Sequence, residues 1–539
     1  MGLPTSQCLT LPGRLLRWLT SATGRIIPTI LWKNSRPLPP YSASAPMTQV
    51  LFATSEAHPL VKTGGLADVS GALPPALRAL GHDVRLVLPA YPRALSRANS
   101  LKIAALLTLP GASTPVRLLE GTLPGTDVPL YLVDAPAYFD RVGGLYGDVH
   151  GRDWADNPWR FTLFAQAVTA IAQNRAGLDW APEIVHCHDW QTGLVPALLY
   201  VEGQRPATVF TIHNLSYQGL FPWGTFSSMG LPPTLWSVDT MEFYNQFSFI
   251  KGGLALADTL TTVSPTYAAE IRTPAFGYGL EGLLNARSDR LVGILNGCDY
   301  SHWDPTNDPY IPHRYGRDDL SGKAEDKAAL QARMGLPMVH DAPLVGMVGR
   351  LVEQKGADLA LAVLPELLHS GVQLVALGSG DWGVEQALRE LATRYPNQAA
   401  VHIGYDEELA HLIEAGADLF LMPSRFEPCG LNQMYSLRYG TLPVVRRTGG
   451  LADTVVDATA TARWERRATG FVFDQATPQA LQDTMHRALA LYHSNRSAWH
   501  TMMLTAMTQD YSWSASAHHY VDLYRQTLAR RGTPIGSGT

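Results

Sequence analysis

The hexapeptide Thr-Gly-Gly-Leu-Ala-Asp occurs twice, at residues 63–68 and 448–453, each time directly after a basic residue, Lys62 or Arg447. A Gly-Gly pair lets the backbone come close to a ligand, and the Leu-Ala-Asp that follows is expected to open a helix whose free N–H groups attract negative charge. Two such loops, one near each end of the patterned region, suit two similar domains that each offer an anion-handling loop to a shared cleft. Two unrelated strand-to-helix turns would also carry Gly-Gly, but the repeated basic residue favours the paired reading.

A chain of 539 residues is too long for one core and long enough for two ordinary domains. With 46% hydrophobic and 17% charged residues and a mean hydropathy of −0.04, it is patterned as a globular protein. The net charge of −5 supplies no general basic field for nucleic acid or anionic lipid, and no apolar run reaches membrane-spanning length. Cys8, Cys187, Cys298 and Cys429 are scattered without CxxC spacing, which suits a reducing compartment. Residues 1–46 contain no Asp or Glu and carry Arg14, Arg17, Arg25, Lys33 and Arg36 among Ser, Thr and Pro. They read as a disordered extension, either transit-like or upstream of a true start at Met47, and are set aside from the fold.

From Val50 onward, short apolar or β-branched runs alternate with helical stretches, the mark of parallel βα units. Strands are expected at 50–53, 84–88, 183–186, 208–212 and 259–263, with a helix at 66–80 ended by Gly81. Proline pairs at 304–305, 308–309 and 311–312 break the pattern. It restarts with strands at 344–348, 372–377, 400–403, 418–422 and 442–445 and helices at 356–369, 384–395 and 430–439. The expected architecture is two doubly wound domains, 47–298 and 299–512, with an amphipathic helix at 513–530 packing back on the first. Ligands of such folds bind beyond the carboxyl ends of the strands, so the polar clusters at 186–190 and 213–219 are candidate functional segments.

Several constellations could carry chemistry. Residues 378–383, Gly-Ser-Gly-Asp-Trp-Gly, match GxGxxG after a strand, with Asp406 further on, and keep a nicotinamide-dependent oxidoreductase open as an alternative; the Trp sits where small residues usually let the helix approach. Alternation puts His186 and His188 on one strand face, but no further Cys/His cluster completes a metal site, and one buried and one cleft-facing histidine is the preferred reading. No Asp-x-Asp is present to hold a divalent ion on a sugar diphosphate, so side-chain cations would neutralise such a group. Arg350 and Lys355, at a strand end and the following helix start, can converge on one anion. Glu427, between Phe426 and Pro428 before a helix start, is a held carboxylate.

In order and spacing, the segments 62–69, 186–190, 213–219, 295–297, 354–356, 424–431 and 446–453 resemble those of the bacterial glycogen synthases and related starch synthases, retaining glucosyltransferases of the GT-B fold. The resemblance runs from about Met47 to Tyr524. It implies that Lys62, Gly64, Gly65 and Asp68 contact the nucleotide sugar from the first domain and that Arg350 and Lys355 neutralise the diphosphate. Cys429, Gly430 and Leu431, with Thr448 and Gly449, would hold nucleotide and phosphates. His213, Asn214, Asn296 and Glu427 would surround the transferred glucose, and Asp189 would lie toward the acceptor. Many retaining GT-B enzymes carry a second Glu eight residues after the first; Tyr435 stands there. Cys187 replaces a common Ala, Gly349 a common Ser and Asn432 a frequent Thr.

The implied reaction transfers glucose from ADP-glucose to the 4-hydroxyl at a non-reducing end of an α-1,4-glucan such as glycogen, with retention and with neither metal nor cofactor. A non-catalytic glucan-binding protein is the other class left open, and Lys62, Arg350, Lys355 and Glu427 argue against it. The resemblance implies a cytoplasmic enzyme, or a plastid one if residues 1–46 are a transit peptide. No residue pattern sets the choice of ADP over UDP, the acceptor length or the oligomeric state.

Overall fold

The computed structural model describes residues 47–532, so the expected extension at 1–46 lies outside the described residues. The first part of the chain supplies β1 (Gln49–Ala53), β2 (Asp83–Pro89), β3 (Asn99–Leu107), β4 (Val116–Thr122), β5 (Pro129–Asp134), β6 (Ile184–His188), β7 (Ala207–Ile212), β8 (Leu220–Pro222), β9 (Glu242–Phe243), β10 (Gln246–Ser248), β11 (Thr259–Thr262) and β12 (Leu291–Gly293). Nine of these form one sheet in the order β12-β11-β7-β6-β1-β2-β5-β4-β3, and β8, β10 and β9 form a small separate one. The strands from β12 to β5 are parallel, and β4 and β3 add an antiparallel edge. The central strands are buried on both faces because helices cover both sides, which is why they read as continuous apolar runs rather than as alternations.

The second part supplies β13 (Leu344–Val348), β14 (Gln373–Gly378), β15 (Ala399–Ile403), β16 (Leu419–Met422), β17 (Leu442–Arg446) and β18 (Phe471–Phe473), all parallel, in the order β15-β14-β13-β16-β17-β18. Each sheet sits in its own apolar core. The first core continues into the second part of the chain through Cys429 and Met434.

The chain passes between the two sheets twice, and the passages run side by side: Cys298 N–H donates to the Tyr511 carbonyl at 2.6 Å, with a parallel bridge from Cys298 to Ser512. The last helix, Trp513–Gly532, lies against β7 and the helix Gly65–Ala79 of the first sheet's layer. It buries Tyr520 and Tyr524 there completely and ties Thr527 to Thr259 at 2.8 Å.

Candidate active site

In each sheet the strand order reverses beside one strand: β1 lies between β6 and β2, and β13 between β16 and β14. The loops leaving such neighbouring strands diverge and open a crevice at their carboxyl ends. Beyond β1, β6 and β7 come Lys62, Asp189 and His213; beyond β13 and β16 come Arg350, Lys355 and Glu427. These loops line one cavity of about 1240 Å³.

The first hexapeptide copy opens the helix Gly65–Ala79, whose extended N-cap Gly64 carries no capping side chain of its own. The carboxylate held at this helix start belongs to Glu56, just beyond β1. Glu56 accepts Thr63 N–H at 2.5 Å, Thr63 Oγ1–H at 2.8 Å, Gly64 N–H at 3.3 Å and Tyr146 O–H at 2.8 Å. Glu56 is 3% exposed and was not among the expected site residues; a carboxylate directly after the first strand is its only sequence signal. Lys62 faces the cavity with its ammonium 2.6 Å from Asp68, and Gly64 and Gly65 line the same wall.

Asp189 has a positive φ of 55°, a conformation rarely adopted outside glycine and kept where the surroundings impose it. Its carboxylate accepts the backbone N–H of His213 at 2.7 Å and of Asn214 at 3.4 Å, joining the loops beyond β6 and β7. Burial pushes the Asp189 carboxyl up to about 7, against the pull of those two amides. His186 and His188 share a strand face, as alternation predicts, with ring centroids 4.1 Å apart. Neither reaches the cleft, which corrects the expectation of one cleft-facing histidine there: both are fully buried. His186 spends its nitrogens on Tyr524 at 2.8 Å and Thr211 at 2.7 Å, while His188 meets His213 at 2.9 Å. The cavity-lining imidazole is His213. Burial holds His186 and His213 down to about 3, so the layer is neutral.

From the second domain, Arg350 is exposed and bonds Gln354 at 3.2 Å, while Gln354 anchors the Arg425 N–H through its carbonyl at 2.8 Å. Lys355 Nζ lies 2.5 Å from Glu427 Oε2, which also accepts Ser424 Oγ–H at 3.0 Å. Gly356 follows at φ +70°, and a Cβ there would run into the Pro423 carbonyl. Only glycine lets the start of helix Ala357–His369 press against the β16 loop and so bring Lys355 onto Glu427. Asn432, the departure noted in the sequence, donates to the Val348 carbonyl at 2.9 Å, propping the end of β13 next to Arg350. Asn214, Asn296, Cys429, Gly430 and Leu431 complete the wall. Burial pushes the Cys429 thiol up to about 12, so it is an inert lining group.

Two expected phosphate-binding residues are not brought to the cavity. Thr448 Oγ1–H and Gly449 N–H donate to Glu270 of the first domain, at 2.9 and 3.1 Å, so these donors are already engaged. Arg447 turns to Asp474 at 2.6 Å. In the unliganded protein the anion met by the second hexapeptide copy is thus a side chain of the protein itself, and neither Thr448 nor Gly449 lines the cavity. The GxGxxG segment is also outside the cavity lining: Gly380 N–H donates to Glu385 at 2.9 Å, and Asp406 caps its own helix and pairs with Arg333 at 2.8 Å. Among the described residues no cluster of His, Cys, Asp and Glu suits a metal ion, and no helix is long and apolar enough to cross a membrane.

Residues 49–286 match the starch synthase catalytic domain, and residues 332–500 match the glycosyl transferases group 1 model. A glycogen synthase of Thioalkalivibrio sulfidiphilus is 57% identical over 483 residues, covering 89% of this chain and 100% of the relative. Glycogen synthase 2 of Nitrosococcus oceani is 55% identical, covering 90% and 98%. Among solved structures, the catalytic domain of starch synthase IV from Arabidopsis thaliana, bound to ADP and acarbose, superposes with a TM-score of 0.81 at 33% identity, covering 90% of this chain and 100% of that one. A sucrose-phosphate synthase from Thermosynechococcus elongatus shares the fold, with a TM-score of 0.54 at 18% identity over 89% and 99%. With two doubly wound domains facing a cleft lined by the matched segments, the chain belongs to the glycogen synthase and starch synthase family of GT-B glycosyltransferases.

Proposed function

We propose that this glycosyltransferase moves glucose from ADP-glucose to the 4-hydroxyl at the non-reducing end of an α-1,4-glucan, with retention of configuration and without a metal ion. The observation that carries the reading is the convergence of Lys62 from one domain and Arg350 and Lys355 from the other on a single cavity that also holds Glu427. Departure of the nucleoside diphosphate builds negative charge on its phosphates. Cations already aimed at that position stabilise the transition state more than the ground state, each worth about 10²–10³ in rate.

In this reading the Lys355 ammonium, paired with Glu427 in the unliganded site, is shared with the diphosphate when donor binds. Glu427 then faces the sugar as positive charge develops at the anomeric carbon, and orients and stabilises it without bonding to it. The acceptor hydroxyl attacks the face the diphosphate leaves, and the departing phosphate oxygen takes its proton. Neutral His213 and Asn214, held by Asp189, position the sugar hydroxyls; Lys62 and Asp68 meet the donor from the opposite wall. Closure of the two domains would bring Lys62 and Arg350 onto one donor and exclude water. The starch synthase IV catalytic domain, bound to ADP and acarbose, supports this substrate pair.

The test is release of ADP from ADP-glucose with and without glycogen, beside UDP-glucose and in the presence of EDTA. Glycogen-dependent ADP release that survives EDTA and exceeds UDP release is the expected outcome. A preference for UDP-glucose would overturn the donor assignment, and loss of activity with chelator would overturn the metal-free clamp.

A further inference from the structure

The second hexapeptide copy lies where two short helices from different domains cap each other. Helix Pro265–Glu270 follows β11 of the first domain, and helix Gly449–Thr454 follows β17 of the second. Asp453, near the end of the second helix, accepts Thr266 N–H at 2.8 Å and Thr266 Oγ1–H at 2.7 Å at the start of the first. Glu270, at the end of the first, accepts Gly449 N–H and Thr448 Oγ1–H at the start of the second. Each helix thus supplies the carboxylate that satisfies the orphan donors of the other.

These caps connect directly to Glu427. Gly450 N–H donates to the carbonyls of Glu427 and Pro428, both at 3.2 Å, and Ser264, the N-cap of the first-domain helix, donates its buried hydroxyl to the same Pro428 carbonyl at 2.6 Å. Gly449, at φ +42°, sits so close under the turn that a Cβ would overlap the Glu427 carbonyl. The backbone of the Glu427 turn is therefore gripped from below by a loop that Glu270 fastens, and from the side by Ser264. Both of those residues belong to the opposite domain. Glu270 Oε2 is buried with no hydrogen-bond partner, so the carboxylate is kept there at a desolvation cost that a purely local cap would not require. Burial raises the Glu270 and Asp453 carboxyls, consistent with that cost.

We infer that Glu270 is a positioning residue for Glu427: from the first domain it fixes the second-domain loop 448–450, and through it the turn that carries the Glu427 carboxylate into the cavity. Its link to turnover rests on the function proposed above, whereas its link to the turn does not. In this role the repeated hexapeptide serves two ends, the first copy facing the donor and the second fastening the domains.

The experiment compares Glu270→Ala with Glu270→Gln, whose amide carbonyl can still accept from Thr448 and Gly449. In the unliganded protein, amide hydrogen exchange within 427–431 and 448–451 should rise about tenfold or more in Glu270→Ala and stay near wild type in Glu270→Gln. With ADP-glucose and glycogen, kcat should fall about tenfold in Glu270→Ala with donor KM within about twofold, and Glu270→Gln should restore it. Unchanged exchange in Glu270→Ala, or equal damage in both variants, would overturn the proposal. Inactive wild type would instead speak against the donor assignment, and the exchange data would still decide the positioning role. Should Glu270→Ala fail to fold, Thr448→Val, which keeps the side-chain shape and removes the hydroxyl donated to Glu270, decides it: faster exchange within 427–431 supports the proposal, and none overturns it.

Discussion

Lys355 Nζ and Glu427 Oε2 are 2.5 Å apart, joining the start of the helix after β13 to the turn after β16, the two loops that diverge at the second sheet's switch point. The pair is unequally exposed, with 27% of the Lys355 side chain and 7% of the Glu427 side chain open to solvent. In the unliganded protein the cation and the carboxylate each satisfy the other, and on the proposed reaction the donor's diphosphate competes for the lysine.

Arg350→Ala and Lys355→Ala should therefore differ in stability while agreeing in kinetics. Each should lower kcat/KM for ADP-glucose by about 10²-fold or more, because each removes a cation facing the developing diphosphate charge. Only Lys355→Ala leaves a buried carboxylate without its ion partner, a loss that costs about 3–5 kcal/mol in fully buried pairs and less here, where the lysine is partly solvated. The exposed Arg350 side chain bonds the neutral Gln354 and, among the described residues, no carboxylate. Denaturant midpoints measured beside steady-state kinetics check this, and equal stability of the two variants would contradict it.

Glu427→Gln keeps the size and the Ser424 contact while removing the charge. An electrostatic and orienting role predicts a kcat lower by about 10²-fold with little change in donor affinity. Peptide mass spectra after incubation with a slow fluorinated donor should contain no glucosyl-Glu427. Such an adduct would replace same-face attack by double displacement, and an undiminished kcat would remove Glu427 from the mechanism.

The pH dependence of stability should carry two opposed contributions from buried groups of the first domain. The Asp189 carboxyl is raised from its ordinary 3.8 to about 7, so between those values the folded state holds a proton that the unfolded state has lost, and stability falls as pH rises through that window. His186 and His213 are lowered from 6.5 to about 3, so there the unfolded state binds the extra protons, and stability falls as pH drops through that window. Each group contributes at most about 1.4 kcal/mol per pH unit. Asp189→Asn retains an acceptor for the His213 amide and deletes only the first contribution. Its stability relative to wild type should improve from pH 4 to pH 7 and level off above; a constant difference across that range would show that Asp189 does not titrate as its burial dictates.

Burial alone did not make an element legible: β13, β14 and β17 stand out as apolar runs, whereas the buried strands β5 and β18 and the buried helix Asn157–Ala172 are not among the expected elements. The strand expected at 344–348 matches β13 to the residue, because a short uninterrupted apolar run marks a buried parallel strand, and the helix expected at 513–530 ends two residues early, because a long amphipathic face carries its own period. The antiparallel edge β3–β4 carries exposed Ile103 and Leu106 and two register shifts, which blur alternation. The strands β8, β9 and β10, two or three residues long, are too short to show any period. At the site, Lys62, Arg350, Lys355 and Glu427 were legible because strand-end loops collect function. Glu56 and Glu270 were not, since what defines each is the loop it grips. The Glu270 contact of Thr448 and Gly449 was not legible because the hexapeptide encodes a helix start able to hold a carboxylate but not whose carboxylate; Glu270 lies 178 residues away from Thr448 in the chain.

Tyr524 offers the sharpest test of what the last helix contributes. Its hydroxyl meets His186 Nδ1 at 2.8 Å, completing a line from the C-terminal helix through His186, whose ring lies 4.1 Å from that of His188, to His213 in the cavity wall. All three members beneath His213, namely Tyr524, His186 and His188, are fully buried, so Tyr524→Phe leaves a ring nitrogen without a partner where water cannot replace it. That should cost about 1–3 kcal/mol of stability, read as a lower denaturant midpoint with unchanged slope. His213 keeps its bond to His188, and the Asp189 carboxylate still holds the His213 backbone, so kcat should stay within about twofold of wild type. Unchanged stability would show that the hydroxyl is not holding His186. A large loss of kcat at unchanged stability would show instead that the buried histidines transmit the position of the last helix to the cavity.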